Sequence, residues 1–224
     1  MKACLFCWPA QSGLIALTLI LAQPGWGLEP SFREEVIDSQ ISIGYGLAID
    51  DVNGDGKPDI LLADKNQFVW YENPGWQKHV ITDALTEKDH VCIAARDIDG
   101  DGKCEIAVGA EWNPGDTENS GAVIYLVPPA DRTQKWQPVK LTHEPTTHRM
   151  RWVRNREGKY DLIVVPLHGR GNVKGEGEGL KVLAYHPPAD PNQPWPTTLV
   201  QGTMHLTHNF DVISTGRDEP EELL

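Results

Sequence analysis

Beyond residue 40 the chain alternates short apolar runs with clusters of Gly, Pro, Asn and Asp. It shows no sustained period of three to four residues. The runs are too short for helices and have the length of strands. Gly46–Ile49, Ile60–Ala63, Phe68–Tyr71 and Trp76–Ile81 make one group of four, and Val91–Ala95, Ile106–Gly109, Ala122–Val127 and Trp136–Leu141 a second. A third reads Met150–Val153, Asp161–Val165, Leu180–Tyr185 and Trp195–Val200, and a fourth begins at His205–Val212. Four short strands per unit, recurring at about 45 to 60 residues, predict propeller blades. The expected fold is all-β, a β-propeller with units over about 43–82, 90–142, 148–200 and 205–224. An antiparallel sandwich would also show short strands, but it would not repeat a polar loop in register.

That loop is the strongest motif in the chain. Asp51-Val-Asn-Gly-Asp-Gly-Lys-Pro-Asp59 aligns without gaps on Asp97-Ile-Asp-Gly-Asp-Gly-Lys-Cys-Glu105, 46 residues later. Oxygen side chains fall at alternate positions: Asp51, Asn53, Asp55 and Asp59 in the first copy, Asp97, Asp99, Asp101 and Glu105 in the second. Such spacing in a tight loop turns them toward one point. The carbonyls of Lys57 and Lys103 can add a ligand, and Gly56 and Gly102 allow the sharp turn. Several hard, anionic oxygens select Ca²⁺, so two calcium sites are expected. Leu62 and Val108 stand where an EF-hand has its bidentate Glu, so these are loops between strands. The third unit keeps only Asn155-Arg-Glu-Gly-Lys-Tyr-Asp161, and the fourth reads Asp211–Asp218; neither is expected to hold an ion.

Composition narrows the class. The formal charge is −12, with 32 acidic and 20 basic residues. That excludes a phosphate-binding basic face, so no nucleic acid is expected. Residues 1–27 carry one charge, Lys2, around the apolar run Leu14–Ala22, which is too short to span a bilayer. They read as a signal peptide, which predicts a secreted or periplasmic protein over 28–224, with no membrane span. Cys92 and Cys104 remain in that region. With the acidic loop as a turn between two strands they fall roughly 20 Å apart at about 3.3 Å per residue. Two separate buried thiols are therefore expected.

The acidic motif followed by an apolar strand resembles the FG-GAP, or VCBS, repeat of integrin alpha chains and many secreted bacterial proteins. The resemblance implies a seven-bladed ring in which calcium staples the two inner strands of a blade. By that standard the chain holds about three and a half blades. The expectation is an open arc, truncated from a longer protein and inactive alone. The last complete blade would expose its apolar face and self-associate through that open edge.

The histidines add a second line. His90, His148, His205 and His208 fall where units begin, and inner strands line the channel of a propeller. A ring of imidazoles at its mouth suits proton transfer or a transition metal such as Zn²⁺. Arg149, Arg151, Glu111, Trp112 and His168 are expected on neighbouring strands or loops, where they would supply charge and stacking for a polar ligand of carbohydrate type. Arg149–Val153, Val165–Gly171, Met204–Asp211 and Gly109–Gly115 resemble the propeller domain of aldos-2-ulose dehydratase/isomerase and its bacterial relatives. That resemblance implies a metal-using lyase that removes water from oxidised sugars. His148, His208, Arg149 and Arg151 are then the candidates for the chemistry, with His90, His168, His205 and Glu111 as candidates for a second metal or the substrate. The alternative is a non-catalytic, calcium-stapled scaffold that binds protein or glycan at the cell surface.

Overall fold

A computed structural model describes residues 31–216 and 219–224. The expected signal peptide, 1–27, and Asp218 lie outside the described residues. Residues 31–36 carry no regular structure and fall in a separate N-terminal unit, while 37–224 form the β-structure. No helix appears among the described residues, and so none long and apolar enough to cross a membrane.

Three antiparallel sheets of four strands follow one another along the chain, each in simple up-and-down order. The first holds β1 (Gly46–Asp50), β2 (Asp59–Ala63), β3 (Gln67–Glu72) and β4 (Gln77–Asp83). The second holds β5 (Cys92–Arg96), β6 (Glu105–Ala110), β7 (Ala122–Val127) and β8 (Gln137–Leu141). The third holds β9 (Thr147–Arg154), β10 (Tyr160–Pro166), β11 (Val182–Tyr185) and β12 (Thr197–Gln201). A two-stranded piece, β13 (Val212–Ile213) with β14 (Glu222–Leu223), ends the chain. None of the sheets closes on itself.

The sheets stack face to face. β5 lies against both β1 and β9, so the first strands of successive sheets are neighbours, as inner strands of propeller blades are. The β1–β5 approach is close: a Cβ on Gly46 would stand 3.0 Å from the Cα of Cys92. Two apolar layers result. Phe68, Trp70, Ile93, Ile106 and Ile124 fill the first seam. Cys92, Ala107, Met150, Trp152 and Leu162 fill the second. β6 is buried along its whole length because both its faces are covered, which explains its unbroken apolar sequence.

The fourth unit departs from expectation. His205–Asp211 is not an inner strand. Its backbone is tied to the third sheet instead: Leu180 N–H donates to Met204 O at 2.7 Å and Thr207 N–H to Leu167 O at 3.1 Å. Phe210 and Val212 then pack on Val153, Ile163, Val165 and Val182. The apolar face of the third sheet is therefore covered, not exposed, because the following segment folds back over it. Glu221 fixes this cover. Its carboxylate takes both η nitrogens of Arg96 at 2.8 and 2.9 Å and the Arg154 N–H at 2.8 Å. The exposed apolar pair of a first strand is instead Leu47 and Ile49, on β1.

Candidate functional site

The acidic loops lie at the end of the first two sheets where the first strand passes into the second. They have the same internal bonding. Asp51 accepts the N–H groups of Gly54 and Gly56 at 2.7 Å each, and Asp97 those of Gly100 and Gly102 at 2.7 and 3.0 Å. The Asn53 and Asp99 side chains each take the N–H two residues on. All four glycines have φ between 81° and 86°, which only glycine adopts freely. Asp59 and Glu105 close the loops from the next strand by accepting the N–H of Val52 and Ile98.

Both donor sets are hard oxygens, which fits calcium. In the second loop one oxygen from each of Asp97, Asp99 and Glu105 lies within 4.8 Å of the others. Oxygens sharing one Ca²⁺ at about 2.3–2.6 Å can span that distance. This is the only such trio of His, Cys, Asp or Glu among the described residues. Burial and the neighbouring charges of Asp99 and Asp101 push the Glu105 carboxyl up to about 7, although the Ile98 N–H opposes the rise. Burial likewise raises Asp59. A cation would relieve both. When bound, it would join the two strands of its sheet through their shared loop. The third sheet has lost this device: its turn, residues 155–159, is five residues against eight in the first two, and Asn155 donates to Asp161 at 3.1 Å.

The opposite end of the sheets carries histidines. His148, the second residue of β9, is 5% exposed. It stacks on Trp112 with ring centroids 5.0 Å apart, and its edge meets His208 at 4.7 Å. His168 is close enough to depress its basicity. Burial, then the Arg149 charge and His208, lower His148 to about 4, so it is neutral at pH 7. Its Nδ1 and that of His168 are buried without a hydrogen-bond partner. Arg149 is held by Asn209 Oδ1 at 3.0 Å and by the His148 carbonyl. Thus His148, His168, His208, Arg149 and Trp112 converge, brought together from four segments.

The remaining candidates go elsewhere. His90 is fully buried and stacks on Phe68 at 4.2 Å in the first seam. His205 sits beside Asn172, 3.3 Å away. Glu111 adopts φ 55° and faces the Lys88 N–H, lining a cavity of about 380 Å³ with Thr86, Asn119, Lys140 and His143. Arg151 is exposed on β9 and bonds the Met150 carbonyl. Cys92 and Cys104 are both free and buried. Burial pushes the Cys92 thiol up to about 12.

Residues 51–108 match the FG-GAP-like repeat family. The matched span runs from the first acidic loop to Val108 on β6, so it contains both loops. It stops before the segments 109–115, 149–153, 165–171 and 204–211 that carry the second resemblance. No curated protein matches the chain.

A second repeat escaped the sequence reading. Pro128-Pro-Ala-Asp-Arg-Thr-Gln-Lys-Trp136 aligns on Pro187-Pro-Ala-Asp-Pro-Asn-Gln-Pro-Trp195. The structures agree bond for bond. Asp131 takes the Thr133 N–H and Asp190 the Asn192 N–H, both at 3.0 Å. Trp136 Nε1 donates to Arg132 O and Trp195 Nε1 to Pro191 O, both at 3.1 Å. This turn carries the chain from the third to the fourth strand and drives a Trp into the seam. The shared Pro-Pro-Ala-Asp-x-x-Gln-x-Trp was the available signal.

Proposed function

We propose that the chain is an exported, calcium-binding FG-GAP/VCBS propeller segment whose histidine end serves a sugar lyase acting on oxidised sugars. The observation that carries the lyase reading is the meeting of His148, His208 and Arg149 beside the Trp112 ring. A neutral His148 accepts the proton next to the sugar ketone. The C–H electron pair moves into an enolate, whose oxygen Arg149 stabilises. His208, exposed at the rim, gives a proton to the departing hydroxyl, which leaves as water. Trp112 offers a ring for the sugar to stack on. Calcium, when bound in the loops, supplies the hard cation that holds paired strands together, remote from these proton transfers.

Elimination from a 2-keto or 3-keto sugar tests the reading, followed as appearance of the conjugated enone. Replacing His148 or His208 by Ala should each reduce turnover by about 100-fold or more. Unchanged turnover in both would remove the histidines from the mechanism.

The non-catalytic scaffold is the second reading, and the cavities favour it. Neither the cavity beside Glu111 nor one of about 870 Å³ between the second and third sheets is lined by His148 or His208. A chain that binds calcium stoichiometrically and eliminates water from no keto sugar would establish the scaffold.

A further inference from the structure

A cavity of about 870 Å³ lies between the second and third sheets at the acidic-loop end. It exists because the third turn is short. In the first seam the second loop reaches the first: Cys104 N–H donates to Asp51 O at 2.8 Å, and the Lys103 side chain covers Gly54. Among the described residues no backbone hydrogen bond of this kind joins the second loop to residues 155–159. The seam therefore opens into a cleft, with Tyr125 and Trp195 toward the core and Pro187 and Pro188 on the opposite strand connection.

The walls are built for a particular chemistry. Tyr125 is 7% exposed, lines the cleft, and its hydroxyl makes no hydrogen bond among the described residues. A hydroxyl that no protein group holds is free to bond a ligand in the cleft. Its ring leans on Trp195 at 5.1 Å, and Trp195 is locked by its own bond to Pro191 O. Tyr160, on the same wall, is backed by the Arg96 guanidinium 4.4 Å from its ring centre. The cleft carries charges of both signs: Glu157 pairs with Lys159 at 3.1 Å, Asp161 with His186 at 2.8 Å and Glu105 with Arg132 at 3.5 Å, and Asp99 and Arg156 also line it. His186 also meets Thr198 Oγ1 at 2.9 Å. That carboxylate–imidazole–hydroxyl chain has the spacing of a nucleophile relay. Thr198, however, lies on an outermost strand and does not line the cleft, so the chain braces the wall.

We propose that this cleft binds a neutral saccharide, separately from the histidine end. The half-buried Tyr160 ring and the Pro187 and Pro188 surfaces accept the apolar face of a pyranose ring. Charges of both signs and the free Tyr125 hydroxyl give its hydroxyls donors and acceptors. The volume is that of a small-molecule site. The proposal does not rest on the lyase reading and does not require the histidines.

The test uses the full chain in calcium-containing buffer, with maltotriose, cellotriose and xylotriose at millimolar concentration. Binding is read from tryptophan fluorescence and from saturation-transfer NMR. At least one trisaccharide should bind saturably. Tyr125→Phe removes only the idle hydroxyl and should weaken that binding about three- to tenfold, the value of one hydrogen bond, without lowering the melting temperature. His148→Ala should bind as the parent does, whatever its effect on elimination. No saturable binding by any of the three, equal affinity in Tyr125→Phe, or loss of binding in His148→Ala would each overturn the proposal.

Discussion

The two ends of the sheets handle titratable groups in opposite ways. At one end each acidic loop is a continuous nine-residue piece of chain, and in the second loop the carboxylates of Asp97, Asp99 and Glu105 crowd one another. At the other, His148, His168, His208 and Trp112 come from four segments, and burial leaves His148 neutral. Like charges brought together locally call for an external cation. The His148 imidazole, buried by packing, relieves the crowding by giving up its proton. A site of the first kind can be copied intact with its strand pair. A site of the second kind exists only where particular sheets meet.

Calcium removal is the sharpest way to break the contrast. A ligand at 100 to 1,000 times its dissociation constant stabilises by about 3–4 kcal/mol, so chelation should lower the melting temperature by about 5–15 °C. Asp97→Asn should reproduce much of that loss in calcium, and Asn155→Ala should not. A melting temperature indifferent to chelator would mean that the acidic end needs no cation.

Acid tests the histidine end. The ordinary His value is about 6.5, and His148 lies at about 4 in the folded chain. Between those values the unfolded chain takes up a proton that the folded chain refuses, so stability falls as pH drops through that window. The loss reaches up to about 3 kcal/mol. His148→Phe should flatten that part of the pH–stability curve measured by chemical denaturation. An unchanged slope would place His148 in a solvated setting.

Gly109 probes the packing that builds the same end. A Cβ there would stand 2.5 Å from Cys92 Sγ and 3.0 Å from Thr147 Cγ2. Gly109→Ala should cost about 1–3 kcal/mol in denaturation midpoint and disturb the position of His148, the next residue along β9. Arg151→Ala should be the mildest change. The side chain is exposed, and the expected effect on stability is within about 0.5 kcal/mol. A larger loss would give Arg151 a structural role that its contacts do not show.

The sequence by itself determined the strands, their grouping in fours and both acidic loops. Each of these is local: alternating burial, turn glycines and ligand spacing are written in contiguous residues. It also placed His148 at the start of an inner strand. The path of His205–Asp211 was not legible. Its apolar and polar residues read equally well as a new inner strand or as a cover over the third sheet, and Phe210, Val212 and Glu221 decided for the cover through partners as distant as Arg96. For the same reason His208 joined His148, while His90 and His205, equally good on position, did not. The cleft beside the second loop is tertiary in the same sense. A turn shortened by three residues is visible in the chain. That the shortening opens a space lined by Tyr125 and Trp195 depends on how two sheets pack, because only packing shows which surfaces the missing residues would have covered.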